Sequence, residues 1–247
     1  IILRFQFDSK SGKWSSQPVP LPKNGTVSIS AASVHSETIF INYEDYITPD
    51  RLSEFDTLQD KLTLLKSLPS KFNANELEVK QYITTSADGT QVPYFLIHRK
   101  GLKTDKKTPT ILYGYGGFEI SLKPSYSATI GKLWLERGGA YAVANIRGGG
   151  EFGPRWHKAA LKTKRQRAYD DFIAVAENLI KRGVTSPKHL GISGGSNGGL
   201  LVGAIFTQRP DLINAVVCRV PLLDMLRYTK LLAGASWAAE YGDPEDP

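Results

Sequence analysis

The chain has 247 residues, of which 41% are hydrophobic, and a formal net charge of +7 at pH 7. Its apolar runs are shorter than the ~18 unbroken residues of a membrane-spanning helix, so we expect no membrane partner. The single cysteine, Cys218, excludes an internal disulfide framework, and its apolar surroundings predict that the thiol is buried. The N-terminal residues show no signal-peptide pattern, so we expect a cytoplasmic protein.

The densest positive charge lies in one stretch near the middle of the chain. Its members are Lys158, Lys162, Lys164, Arg165 and Arg167. Nucleic-acid-binding surfaces usually combine such a cluster with stacking aromatic residues or a recognisable motif, and neither is present here. We therefore interpret the cluster as a solvated helix face or loop and expect no nucleic-acid partner.

The first 70 residues predict β-structure. Runs at 27–30, 38–43 and 62–65 are rich in β-branched and aromatic residues, and turn-forming clusters such as Lys23-Asn24-Gly25 separate them. Residues 51–57 and 61–65 predict a hairpin. Strand spacings of roughly ten residues are typical of a meander in a sandwich or a propeller blade.

The pattern changes beyond residue 70. Residues 78–85 and 91–98 predict a second hairpin, and strands at 108–113, 140–146, 189–193 and 215–220 then alternate with helices at 169–181 and 197–208. In the first of these helices one face is apolar, through Phe172, Val175, Ala176, Leu179 and Ile180. Strands that alternate with helices indicate an α/β fold with a parallel sheet.

A glycine-flanked serine follows one of the predicted strands. The segment GGSNG at 194–198 matches the G-x-S-x-G pattern, with a strand before it and an apolar helix after it. This context is that of a nucleophile elbow, which presents a serine hydroxyl near the N-terminus of a helix. The alternative is a glycine-rich turn that binds phosphate, although no P-loop lysine follows. We favour Ser196 as a nucleophile.

A second glycine-rich segment, YGYGGF at 113–118, follows an earlier strand. In α/β-hydrolases the loop at this place supplies a donor to the oxyanion hole, and the amide of the residue after the nucleophile, here Asn197, supplies the other. Taken alone, the segment is equally typical of an ordinary turn. Its combination with the downstream serine favours a functional role.

Several segments resemble the prolyl oligopeptidase family of serine peptidases in order and spacing. They are LYGYGGF at 112–118, VANIRGGGEFG at 143–153, WHK at 156–158, ISGGSNGGLL at 192–201 and GASWAAEYG at 234–242. Val175 stands where the family signature has alanine, a change on a helix face that leaves the chemistry untouched. The resemblance implies an α/β-hydrolase core at residues 71–247, incomplete at its C-terminus, preceded at 1–70 by the last part of a β-propeller.

The resemblance also implies roles for individual residues. Ser196 would be the nucleophile, and the backbone N–H of Asn197 and the hydroxyl of Tyr115 would form the oxyanion hole. Trp237 would lie against the substrate proline ring in the S1 pocket, with Phe118 and Tyr241 as its walls; without the resemblance, Trp237 would be interpreted as a core residue. The implied partners are short proline-containing peptides. No cofactor or metal is implied, and the full-length protein is expected to be a monomer.

The remaining polar candidates are interpreted as structural. His157 is expected to organise the loop after residues 147–150 rather than to transfer protons, and Arg147 is expected to anchor that loop. Asp170 and Asp171 would open the helix that follows, where acidic residues favour the helix dipole.

The sequence holds no complete catalytic triad. In α/β-hydrolases the acid and then the histidine follow the serine, but no histidine follows Ser196. The acidic residues that do follow, Glu240 among them, are therefore expected to have no imidazole to orient. We expect a fragment of a longer enzyme, inactive alone, whose full-length parent is a serine endopeptidase that cleaves after proline.

Other activities remain open at this stage. They are a related oligopeptidase of different P1 preference (oligopeptidase B or acylaminoacyl peptidase), a carboxylesterase, and a non-catalytic pseudoenzyme or interaction module.

Overall fold

The computed structural model describes residues 1–246, which divide into two units. The first contains Ile1–Ala74 and Lys123–Gly131, and the second contains Asn75–Leu122 and the chain from Lys132 onward. This division follows contacts alone and interleaves two parts of the sequence. The domains predicted at 1–70 and 71–247 therefore stay a prediction.

The strands of the first unit form two antiparallel sheets, as its β-branched and aromatic runs predict. They are β1 (Leu3–Asp8), β2 (Lys13–Pro18), β3 (Thr26–Ala31), β4 (Thr38–Glu44), β5 (Arg51–Asp56) and β6 (Lys61–Ser67). β1 pairs with β2, and β3 to β6 pair in chain order as a four-stranded sheet. The predicted hairpin of β5 and β6 is confirmed, and Asp56 closes its turn by accepting hydrogen bonds from the amides of Leu58 and Gln59, both at 2.9 Å.

A later segment of the chain completes the first unit. It includes the short helix α1 (Ala128–Ile130), whose first turn is capped by the Ser127 hydroxyl, which accepts from the Ile130 amide at 3.3 Å. Just before it, the ring of Tyr126 stacks on Phe72 with 5.0 Å between centroids. No turn or periodicity signal in the sequence predicted this packing, because it joins residues that are distant along the chain.

The second unit is built on a six-stranded mixed sheet. Its strands are β7 (Leu77–Thr85), β8 (Gln91–Arg99), β9 (Thr110–Tyr113), β10 (Ala140–Ala144), β11 (Leu190–Gly195) and β12 (Ala215–Arg219), in the order β12-β11-β9-β10-β8-β7. β9 to β12 are mutually parallel, which confirms the predicted parallel core. β8 runs antiparallel to both β7 and β10. The carboxyl ends of β9 and β11 consequently lie side by side, where loops can form a site.

The second unit also contains the helices α2 (Pro154–Lys158), α3 (Gln166–Lys181), α4 (Asn197–Gln208) and α5 (Ala238–Tyr241). α3 packs against β7 and β8, and α4 packs against β11 and β12. Phe172, Val175 and Leu179 of the predicted apolar face of α3 are fully buried. α4 has the predicted bounds, but α3 begins three residues before the predicted residue 169, within the basic stretch. No helix within residues 1–246 combines the length and apolar character that crossing a membrane requires.

The last strand of the sheet differs from its prediction. Among the described residues, β12 is the outermost strand of the sheet, and most of its residues are exposed. Cys218 is therefore half-buried rather than fully buried, and its Sγ donates to the Gly199 carbonyl at 3.3 Å. An apolar run alone does not distinguish an edge strand from a central strand, which is why this part of the prediction was wrong.

Candidate active site

Ser196 occupies a strained bend between β11 and α4. Its φ of 57° and ψ of −119° lie in a region that residues with a side chain disfavour. Ser196 is also exposed to solvent. The neighbouring glycines make the bend possible. A Cβ on Gly198 would lie 2.7 Å from the carbonyl oxygen of Gly114, and a Cβ on Gly194 would collide with the carbonyl of Gly198. The sequence pattern therefore corresponds to a strand–turn–helix bend with its hydroxyl at the surface.

Tyr115 lies in the loop after β9, beside this bend. Burial raises the pKa of Tyr115, and the nearby Ser196 side chain lowers it by less, so the pKa stays above its ordinary value. The phenol therefore keeps its proton at neutral pH and can donate it. Gly116, with a φ of 63°, lets the loop turn sharply after the tyrosine. The structure thus brings together two residues that lie 81 positions apart in the sequence.

Asn197, the first residue of α4, is completely buried, with 0% of its surface exposed. Because it opens a helix, its backbone N–H has no partner within that helix. Its side chain points away from solvent: Nδ2 donates to the Tyr115 carbonyl oxygen at 2.5 Å, and Oδ1 accepts from the Tyr241 hydroxyl at 2.8 Å. The sequence prediction considered only the backbone of this residue and missed its side-chain contacts.

Two of the three residues assigned to the S1 pocket are in contact. The rings of Phe118 and Tyr241 meet edge to face, with centroids 5.7 Å apart, and both residues are partly exposed. Phe118 has a φ of 54°, in the left-handed region that bulky residues disfavour. Trp237 ends the 3-10 helix Gly234–Trp237, directly before α5, and is partly exposed. The roles of all three residues stay predictions.

Three buried or half-buried polar residues adjoin the same loops. Arg165 donates from Nη1 to Oε1 of Glu240 at 3.0 Å and from Nη2 to Oδ1 of Asn197. His157 Nε2 lies 2.7 Å from Oε2 of Glu240. The interpretation of Arg165 as part of a solvated surface was wrong, as was the statement that Glu240 has no imidazole beside it. His157 precedes Ser196 in the chain, whereas the hydrolase order places the histidine after the serine.

Arg147 anchors the loop after β10, as the sequence analysis proposed. Its backbone N and its Nε donate to Asp171 Oδ2 at 3.0 and 2.9 Å, and its Nη1 and Nη2 reach Asp88 at 2.5 and 3.1 Å. The hydrogen bond from Arg147 holds the pKa of Asp88 well below its usual range. The prediction that Asp170 and Asp171 open the helix was wrong: α3 begins at Gln166, so both lie inside it, and Asp171 is paired in the core.

The mixed sheet, its flanking helices and the bend at Ser196 define an α/β-hydrolase core that accompanies a set of antiparallel strands. Residues 124–247 match the model of the prolyl oligopeptidase family, and residues 5–68 match the model of its N-terminal beta-propeller domain. The chain belongs to the prolyl oligopeptidase family.

Relatives extend over almost the whole chain. A peptidase named y4nA from Sinorhizobium fredii is 56% identical over 241 residues, which cover 98% of this chain and 33% of the relative. The prolyl endopeptidase of Elizabethkingia miricola is 45% identical, with 98% and 34% covered. The structure of a post-proline cleaving enzyme from Rickettsia typhi superposes with a TM-score of 0.84 at 43% identity, with 99% of this chain and 35% of the other covered. The chain thus spans about a third of the length of the relatives it matches.

Proposed function

We propose that the whole protein is a serine endopeptidase that cleaves short peptides on the C-terminal side of proline, through an acyl-enzyme on Ser196. The observation that carries this proposal is the exposed Ser196 in a strained bend, with the next residue, Asn197, hydrogen-bonded to the loop that carries Tyr115. The names of two relatives, a prolyl endopeptidase and a post-proline cleaving enzyme, support the choice of proline.

In the proposed reaction, Ser196 Oγ bonds to the carbonyl carbon of the scissile amide. The hydroxyl proton passes to a base and then to the leaving amine, and water later releases the acyl group by the reverse route. The Tyr115 hydroxyl and the Asn197 backbone N–H would donate to the oxyanion. Two donors fixed in place before reaction stabilise the developing charge without reorganisation at the moment of attack.

We further propose that a downstream acid and histidine of the whole protein complete the triad. In the hydrolase order both follow the serine, and no histidine lies between Ser196 and Pro247. His157 is a poor candidate for the base, because a carboxylate lies beside each of its ring nitrogens: Glu240 Oε2 is 2.7 Å from Nε2, and Glu119 Oε2 is 3.8 Å from Nδ1.

For the S1 pocket we propose that Trp237 stacks on the proline ring, with Phe118 and Tyr241 as its walls. The edge-to-face contact of the two wall residues supports this arrangement, since it presents a rigid aromatic surface. A flat ring stacked on indole contributes about 0.5–1.5 kcal/mol beyond the burial of its area.

The test compares the whole protein with its Ser196→Ala variant on a panel of peptide amides that differ only in P1. We expect cleavage after proline, loss of turnover in the variant, and covalent labelling of the wild type alone by a fluorophosphonate. Trp237→Ala should reduce the cleavage of proline substrates more than the cleavage of the other substrates in the panel. Cleavage after basic residues, or release of N-acylated amino acids, would point to a sister oligopeptidase. Full activity of Ser196→Ala would remove this serine from the mechanism.

A further inference from the structure

A buried ion pair lies directly behind the bend that carries Ser196. It joins Arg165, which is 9% exposed, to Glu240, which is 4% exposed. Removing two charges from water is costly, and an apolar pair of similar volume often gives equal or greater stability. Stability is therefore a weak explanation for a charged pair at this place, and a positional role deserves a specific test.

The Arg165 guanidinium connects the pair to the residue after the nucleophile. Its Nη1 binds Glu240 at 3.0 Å, and its Nη2 binds Asn197 Oδ1, the oxygen that also accepts from the Tyr241 hydroxyl at 2.8 Å. The other end of the same amide donates to the Tyr115 carbonyl oxygen at 2.5 Å. The two residues assigned as oxyanion donors are thereby joined through one side chain, whose orientation Arg165 fixes.

Glu240 connects the pair to the opposite wall. Its Oε1 accepts a hydrogen bond from the backbone N–H of Phe118 at 3.0 Å, and its Oε2 contacts His157 Nε2 at 2.7 Å. Phe118 and the next residue, Glu119, both have positive φ, at 54° and 57°. Such a backbone persists only where its surroundings hold it, and the Glu240 carboxylate supplies one such contact.

We propose that Arg165 and Glu240 are positioning residues that hold the oxyanion donors and the S1 walls in one fixed arrangement. The proposal rests on the proposed function, which assigns those donors and walls. The forked guanidinium is suited to this task because it binds two acceptors at a fixed angle, which a lysine ammonium cannot reproduce. Arg165 also lies over the ring of Tyr241, with its Cζ 5.3 Å from the centroid, so it contacts the pocket wall directly.

The proposal predicts a loss in the transition state rather than in ground-state binding. In the whole protein, Arg165→Met should lower kcat about 10- to 100-fold, since a displacement near 1 Å can cost that much, and should change KM by less than about threefold. Arg165→Lys should retain part of the activity. Glu240→Gln, which keeps an acceptor for the Phe118 amide, should lose less than Arg165→Met. The double variant should lose less than the product of the single losses, because the two residues act as one unit.

Two inhibitors separate positioning from folding. A peptidyl-proline aldehyde forms a tetrahedral adduct whose oxygen needs the oxyanion donors, whereas the corresponding alcohol occupies S1 alone. Arg165→Met should lower the affinity for the aldehyde by about the same factor as it lowers kcat, and should leave the affinity for the alcohol nearly unchanged. Arg209→Met is the matched control, because Arg209 pairs with Glu177 and Asp211 at the surface. We expect wild-type kinetics from it.

Equal losses of aldehyde and alcohol affinity, or losses that follow the unfolded fraction seen by circular dichroism, would reduce the pair to a structural role. Unchanged kcat in both Arg165→Met and Glu240→Gln would overturn the proposal. If the wild type cleaves peptides but not after proline, the specificity proposal fails. The role of Arg165 and Glu240 is then tested by the rate at which a fluorophosphonate labels Ser196. Slower labelling in Arg165→Met supports a positioning role, and an unchanged rate refutes it. A wild type that neither cleaves nor labels would refute both proposals.

Discussion

The hydroxyl of Tyr115 can be removed without changing the rest of the side chain. Tyr115→Phe deletes the hydroxyl that is assigned as one of the two oxyanion donors, and it keeps the ring in the loop after β9. Because burial keeps the phenol protonated, the lost interaction is that of a neutral donor in a partly dry site. Loss of one such donor costs about 10²–10³ in kcat, roughly 2.7–4 kcal/mol of transition-state stabilisation.

The assay measures kcat and KM of the whole protein on a peptide-proline amide, together with the midpoint of urea unfolding. We expect the loss in kcat, with little change in KM or in the midpoint. Tyr113→Phe is the matched control: Tyr113 is also partly buried two residues earlier, and its ring stacks against Tyr141 with centroids 6.4 Å apart. A loss confined to KM, or equal losses in both variants, would refute the assignment of the Tyr115 hydroxyl to the oxyanion hole.

Two further predictions concern stability and steric fit. Asp88→Asn should lower the unfolding free energy of the whole protein at pH 7 by about 0.5–1 kcal/mol, since the half-exposed carboxylate pairs with Arg147. The hydrogen bond from Arg147 lowers the pKa of Asp88, so this stabilisation is complete above the unfolded pKa of about 4 and is lost progressively as pH falls from there through the lower folded pKa. Denaturant titrations at pH 7 and pH 3 should show the difference shrinking, and a constant difference would contradict the linkage. Gly198→Ala places a Cβ 2.7 Å from the Gly114 carbonyl oxygen, so it should lower the unfolding free energy by about 1–3 kcal/mol and reduce activity. Gly191→Ala should be tolerated, because the nearest neighbour of its new Cβ would lie 3.5 Å away. Similar midpoints and kcat values for the two alanine variants would contradict the steric argument.

The features found from sequence are those that a short window encodes. The bend at Ser196 follows from glycines, a strand and an apolar helix that are adjacent in the chain, and the apolar face of α3 follows from helical periodicity. The contacts of Arg165 are not encoded in a short sequence window. This residue meets Glu240 across 75 positions and Asn197 across 32, and it sits in a lysine-rich stretch that resembles an exposed surface.

The edge position of β12 illustrates the same limit for strands. A run of apolar residues predicts a strand but not its neighbours, and the exposure of Cys218 depends on those neighbours. The packing of Tyr126 on Phe72 likewise depends on the path of the whole chain. Local chemistry therefore predicted the bend at Ser196, and only the tertiary arrangement revealed the charges behind it.

The side chain of Asn197 has a consequence for anyone who randomises the site. A residue that contributes only its backbone N–H is commonly treated as tolerant of any side chain. Here the side-chain amide of Asn197 must donate to one carbonyl and accept from two donors at the same time. Aspartate lacks the donor and leucine lacks both functions, although each is close to asparagine in size. Saturation mutagenesis at this codon should therefore recover asparagine almost alone.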